Sequence, residues 1–313
     1  MSNVFLKNIV KKQAVLLVFI FLFIMFTIFV PSFFTARNLI NILKQSSILG
    51  IVACGLTFPV IAGNIDLSVG SIVSLCGVVA LSLSYQSIWL AIFVPIVLAV
   101  IIGLVNGFIV TKFNANSVII TLASLAVIRG LALIYTGGKM VEGSDASRFI
   151  AIGRTSLGGF PAYIFAFIAV AIILGIILNL TSLGRFVFHA GSNPEASKIA
   201  GINIDNIRIY TFIISAVCAA LAAIILSSRL YTASPLTGNG YEFDAVAAIV
   251  VGGTSMFGGK GNIYRTVIGI FFIVIVINAM ILLNLPVAFQ YMAKALIIVV
   301  AVWLDVRTSR ENV

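Results

Sequence analysis

Ionisable side chains are scarce in this sequence: nine Asp and Glu, one His and three Cys among 313 residues. In "GNIDLSVG", Gly63 to Gly70, Asp66 stands between two long apolar runs and is followed by Ser68 and Gly70. In "GYEFDAVAAIVVGGTSMFGGKGN", Glu242 and Asp244 open another apolar run. A carboxylate in the first turn of a helix meets unpaired N–H groups and the positive end of the dipole, worth about 0.3–1 kcal/mol. Asp66 is therefore expected to cap a helix that begins there. Gly63, Ser68, Gly70 and Ser71 offer small surfaces that let neighbouring backbones approach closely. Charged groups inside apolar spans face a cavity or one another. Arg129 with Asp244 or Glu242 is thus an expected polar cluster, either beside a solute path or as a structural ion pair.

Acid–base catalysis has little to work with. His189 is the one histidine and falls in a loop, and the carboxylates form no close pair inside the apolar runs. Cys54, Cys76 and Cys218 lie within apolar segments without C-x-x-C spacing, which indicates neither a disulfide framework nor a metal site. "GGTSMFGGKG" invites a phosphate-loop reading that fails on inspection. Counting back from Lys260 places Thr254 where G-x-x-x-x-G-K requires glycine, and Gly261 replaces the Ser/Thr. A broken or closely packed helix end is the expectation there, and no enzymatic activity is expected of the chain.

The elements that must hold these residues follow from composition. Hydrophobic residues make up 61% of the chain and charged ones 9%, with a mean hydropathy of +1.22. A soluble domain averages close to half apolar and about a quarter charged. This is an integral membrane protein. A spanning helix needs about 20 apolar residues, and lipid-exposed irregular backbone is excluded, so short polar gaps imply an all-α polytopic helical bundle. A single domain over residues 1–313 is expected.

Apolar runs fall near 14–30, 48–62, 65–84, 88–111, 117–136, 161–180, 208–228, 241–257, 265–285 and 287–304, giving ten candidate spans, of which the eighth is Gly-rich and open to a break. Lys7, Lys11 and Lys12 precede the first run as in a signal peptide, but no A-x-A site follows, so an uncleaved span is expected. With a cytoplasmic N-terminal segment 1–13, eleven basic residues fall inside and six outside. That orientation also makes the tail 305–313 cytoplasmic. The net charge of +10 is spread singly and forms no stripe, which argues against nucleic acid. Spans one to five and six to ten then run in opposite directions, and each half opens its third span with an acid. An inverted repeat, common in transporters, is the expectation. Arg129 and Lys294 fall in the outer halves of their spans and do not complete the repeat.

The cytoplasmic loop 181–207 reads "LGRFVFHAGSNPEASKIAGINIDN" over much of its length. Asn193 can cap, Pro194 suits the first helical position, Glu195 complements the dipole and Gly201 stops the helix. A helix of about two turns is marginal alone in water and needs a surface to dock on. Ala196, Ile199 and Ala200 offer contact area, with Glu195 and Lys198 at the rim.

"GNIDLSVGSIV", "GSNPEASKIAGINIDNIRIYTFIISAVCAALAAIIL", "GYEFDAVAAIVVGGTSMFGGKGNIYRTVIG" and the closing "YMAKALIIVVAVWLD" together resemble the permease subunits of the ribose-type ABC sugar importers, and the resemblance covers nearly the whole chain. It implies a multi-pass subunit of the cytoplasmic membrane that forms the path for a monosaccharide. It implies as partners a second permease subunit (an identical copy or a similar one), an ABC ATPase subunit and an extracytoplasmic solute-binding protein. The chain itself would bind no cofactor; ATP and Mg would be used by the ATPase. In that family the loop after span six carries a coupling helix, which transfers to Asn193, Pro194, Glu195, Ala196, Lys198, Ile199 and Gly201. The long outer loop 137–160 is expected to meet the binding protein, with Lys139, Arg148 and Arg154 set against Glu142 and Asp145. Asn64 stands where relatives commonly carry glycine. The alternative class is an ion-coupled secondary transporter, for which Asp66 and Asp244 are the plausible ion carriers.

Overall fold

The computed structural model describes residues 2–143 and 148–310, so Asp145 lies outside the described residues. The helices are α1 (Ser2–Phe29), α2 (Ala36–Ile61), α3 (Val69–Leu83), α4 (Ile88–Lys112), α5 (Ser117–Thr136), α6 (Ile150–Arg154), α7 (Ala162–Leu180), α8 (Ser182–Ser192), α9 (Pro194–Ile199), α10 (Ile204–Leu230), α11 (Tyr241–Val251), α12 (Ile263–Leu282) and α13 (Val287–Arg310). Four two-residue strands, β1 (Val141–Glu142), β2 (Ser156–Leu157), β3 (Phe160–Pro161) and β4 (Thr232–Ala233), complete it. β1 pairs antiparallel with β4, Val141 opposite Ala233, and β2 with β3.

Among the described residues, seven helices are long and apolar enough to cross a membrane: α2, α4, α5, α7, α10, α12 and α13. This corrects the count of ten, although every apolar run does form helix. The apolar part of α1, Val15–Phe29, and all of α3 are shorter. The eighth run, expected over 241–257, stops at Val251, where Gly252 ends the helix. At 1.5 Å per residue α3 and α11 measure about 22 and 16 Å, short of a hydrocarbon core about 30 Å thick.

Helix starts carry polar caps: Thr35 accepts from the Asn38 N–H, Ser87 from Trp89, Asn116 from Val118 and Asn262 from Tyr264. The second helix begins at Ala36, twelve residues ahead of the expected start at 48. Its early polar residues are inside the bundle rather than outside it. Asn38 and Asn278 exchange two amide hydrogen bonds of 2.9 Å, joining α2 to α12, and Ser46 and Ser47 are buried.

α2 and α10 form the centre, each with 67% of its apolar window buried, against 22% for α4 and α5 and 6% for α13. α10 packs on α2, α3 and α4, while α11 packs on α2, α12 and α13. The outward sides of the peripheral helices expose large apolar groups such as Phe93, Ile119, Ile172 and Val299. A helix apolar on all sides fits this arrangement, one side facing the bundle and the other lipid.

Two non-helical straps enter the bundle. Residues 62–68 run along the start of α5: the Ile65 N–H donates to Ser117 Oγ at 3.0 Å and the Leu67 N–H to Thr121 Oγ1 at 3.1 Å. Residues 231–240 run along α3. A methyl on Gly77 would lie 4.0 Å from Ala233 Cβ, and the Gly238 N–H donates to Ser74 Oγ at 3.0 Å. Irregular backbone at membrane depth is tolerated where protein groups satisfy it in this way. The order is therefore repeated: long helix (α2, α10), buried strap, half-helix (α3, α11). The N-termini of the two half-helices meet inside the bundle.

Candidate functional site

At that meeting point Asp66 is fully buried. It accepts hydrogen bonds from the Ser68 N–H at 3.0 Å, from Ser68 Oγ, and from Ser215 Oγ of α10 at 2.9 Å. Asn106 of α4 donates to Ser68 Oγ at 3.0 Å. The expected helix start is therefore displaced: α3 begins at Val69, and Asp66 lies outside it. The strap before it is held by other elements, with the Ile65 and Leu67 amides on α5 and the Asp66 carboxylate on Ser215 of α10. Asp66 instead holds the strap to α10, and Ser68 links it to α4.

Gly70 faces the first turn of α11. A methyl there would collide with the Glu242 carboxylate and lie 2.6 Å from the Gly238 carbonyl oxygen. Glu242 is 2% exposed, and its Oε2 sits against Gly70 without a hydrogen-bond partner. Arg129 lies within Coulombic reach of Glu242. No ion pair closes between them, and Arg129 Nε and Nη2 are buried without partners.

Asp244 pairs with Lys294, Nζ to Oδ2 at 2.8 Å. This corrects the expected Arg129–Asp244 pairing. α11 packs against α13, which carries Lys294 one turn beyond Tyr291, whereas α5 packs on α3 and α4. The residues of the expected cluster are thus divided: Glu242 and Arg129 face the α3 side, and Asp244 faces α13. Lys294 therefore belongs to the site.

At one end of the bundle α9 forms between Asn193, whose Oδ1 accepts the Ala196 N–H at 3.0 Å, and Gly201, at φ +82°. Pro194 occupies the first turn with Glu195, and the Gly201 N–H donates to the Lys198 carbonyl at 3.0 Å. Ser197 is the buried residue of α9, its Oγ donating to the His189 and Asn193 carbonyls at 3.1 and 2.7 Å. Glu195, Ala196, Lys198, Ile199 and Ala200 are exposed, Ile199 at 88%. The sequence reading missed the platform beneath it. α8 buries Gly184, Val187 and Ala190 at helical spacing, a period visible in "LGRFVFHAG".

At the other end loop 137–160 exposes Lys139, Arg148 and Arg154. β1 clips it to β4, and Ser228 Oγ accepts the Gly153 N–H at 2.8 Å while donating to the Phe149 carbonyl at 2.7 Å. The Arg154 guanidinium lies 5.5 Å from the centre of the Tyr231 ring.

The Gly-rich loop after α11 is no phosphate cradle. The Gly259 N–H donates to the Ile61 carbonyl at 2.8 Å, and the loop is tied to α13 by Asp305, which accepts from Met256 N–H at 3.1 Å and Ser255 Oγ at 3.2 Å. Asp305 is the last residue of the closing motif and had been given no role.

A polytopic helical bundle with half-helices meeting inside it is the architecture of a membrane permease. The chain belongs to the family described as branched-chain amino acid transport system / permease component, which matches residues 38–302. It is 36% identical over 309 residues to the ribose import permease protein RbsC of Haemophilus influenzae, covering 97% of this chain and 96% of that protein. It is 40% identical over 297 residues to the L-arabinose transport system permease protein AraH of Escherichia coli, covering 94% and 90%. The ribose import permease protein RbsC of Bacillus subtilis is 35% identical over 311 residues, covering 96% and 95%. No solved structure matches the chain. The chain is a permease subunit of an ABC importer, and ATP hydrolysis is carried by a partner subunit.

Proposed function

We propose that this chain forms the path for a monosaccharide, a pentose by the chemistry in its relatives' names, delivered by a solute-binding protein and driven by an ATPase docked at α9. Relatives named for ribose and for L-arabinose, each matched over nearly its whole length, support the solute class. We place the α9 end and both termini on the cytoplasmic side, following the excess of basic residues there. Loop 137–160 then faces the binding protein with Lys139, Arg148 and Arg154. The second permease subunit is an identical or similar chain, and ATP with Mg belongs to the ATPase.

The observation that carries the coupling role is the division of α9. Ser197 seats it on α8, while Ala196, Lys198, Ile199 and Ala200 are left to solvent. A six-residue helix is far below the length that persists alone, so a partner surface gives this exposed side a purpose. Solute would pass where the two halves of the repeat meet, near Gly70, Glu242 and Arg129. The ion-coupled alternative loses support because Asp66 and Asp244, its carriers, are committed to Ser68, Ser215 and Lys294.

Ala196→Arg tests this. The subunit should still insert and fold, while the assembled complex loses binding-protein-stimulated ATP hydrolysis and uptake together. Wild-type stimulation and uptake would place the ATPase contact elsewhere.

A further inference from the structure

Three turns converge at the α9 end, each from a different part of the chain. They are 61–63 between α2 and α3, 191–192 at the end of α8 just before α9, and 258–261 between α11 and α12. Their contacts are backbone against backbone. The Gly259 N–H donates to the Ile61 carbonyl at 2.8 Å. A methyl on Gly258 would lie 2.9 Å from Gly63 Cα and 3.0 Å from the Gly191 carbonyl oxygen. One on Gly191 would collide with the Ile61 carbonyl and lie 2.6 Å from the Gly259 nitrogen. One on Gly259 would lie 2.8 Å from both Cα and Cβ of Ser192. Gly63, Gly258 and Gly259 also hold φ of +79°, +85° and +71°, which other residues rarely adopt.

Each turn leads directly to an element that matters. Ser192 is followed by Asn193, the cap of α9. Gly63 lies in the strap that carries Asp66 and leads into α3. The 258–261 turn follows α11, whose end is held to α12 because a methyl on Gly252 would lie 2.5 Å from the Arg265 carbonyl oxygen. The N-terminus of α3, reached through that strap, and the N-terminus of α11, at the far end of that helix from its turn, meet at Gly70 and Glu242.

We propose that the interlocked backbones of Gly63, Gly191 and Gly258–Gly259 are the positioning contact through which α9 moves both half-helices at once. Side chains in contact absorb a displacement by changing rotamer. Backbones packed to this distance have no such freedom, and close-packed interiors transmit strain. A shift of α9 is thereby imposed together on the start of the 62–68 strap and on the end of α11, and so reaches the contact between the halves from both sides. This rests on the reading of α9 as the ATPase contact.

Two variants of the assembled complex test it. Ser192→Cys with Phe257→Cys, both exposed beside the junction, lets a short reducible thiol cross-linker tie two of the turns while every junction glycine is kept. If the three turns travel as one body, the cross-linked protein should take up solute as the reduced one does. Uptake abolished by the cross-link and restored by reductant would show that the turns separate during the cycle, and would overturn the proposal. The second variant is Gly258→Ala, which forces the turns apart. Uptake per ATP hydrolysed should fall about tenfold, the size of a typical coupling between sites, with the ATPase still bound. Gly130→Ala and Gly175→Ala, which meet nothing within 4 Å, should leave that ratio unchanged. An unaltered ratio in Gly258→Ala would also overturn the proposal, and the cross-link decides the matter if that variant does not accumulate. Failure of the α9 reading is separate: it appears as wild-type behaviour of Ala196→Arg, whatever the junction variants do.

Discussion

Asp244 shows how packing selects an ion partner that depth in the sequence does not. Arg129 and Lys294 stand at comparable depth in their helices, yet α11 packs on α13, and Lys294 closes the 2.8 Å pair. Removing one member of a partly buried pair strands the other charge, whereas removing both does not. Lys294→Met and Asp244→Asn should therefore each destabilise the protein in thermal unfolding, and the double variant should cost less than their sum. The expected coupling is about 0.5–3 kcal/mol. Arg129→Ala with Asp244→Asn should be additive, because no contact joins them. Additive losses for Lys294 and Asp244 would contradict the observed pairing. Gly70 was legible as a small residue at a close approach. That the group it admits is the Glu242 carboxylate was not, since the two lie in different halves of the repeat.

The apolar runs located every major helix, and the residues Asn193, Pro194 and Gly201 located α9, because caps and stops are local chemistry. The half-helices were harder to see. The strap 62–68 passes without a break into the apolar run of α3, and its Asn64, Asp66 and Ser68 read as a turn and a cap until Ser117 and Thr121 of α5 are found receiving its amides. The early start of α2 was missed for a related reason: Asn38, Ser46 and Ser47 look like surface until Asn278 is found opposite Asn38. Loop 137–160 was legible only as a long polar connection, whereas β1, α6 and Ser228 fix its ends. That order makes its charges a defined surface. Arg148→Glu with Arg154→Glu should slow uptake at limiting binding protein, with the deficit shrinking as salt rises, since such charges set encounter rate more than affinity. Uptake unchanged at limiting binding protein would remove this loop from the docking surface.

The molecule as a whole places an exposed short helix at one end, a loop carrying Lys139, Arg148 and Arg154 at the other, and paired half-helices between them, joined to the first end by a glycine junction. That layout suits a permease whose two sides are worked by different partners and whose interior changes access between them. Coupling through α9 requires that ATP at that end, and not an ion gradient, drives solute movement. The direct measurement is pentose uptake into proteoliposomes holding the complete complex, with binding protein on the loop side and ATP on the α9 side. Uptake should require both, should be stopped by vanadate, and should persist when proton and sodium gradients are collapsed by ionophores. Uptake that continues without ATP and vanishes with the gradients would contradict coupling through α9.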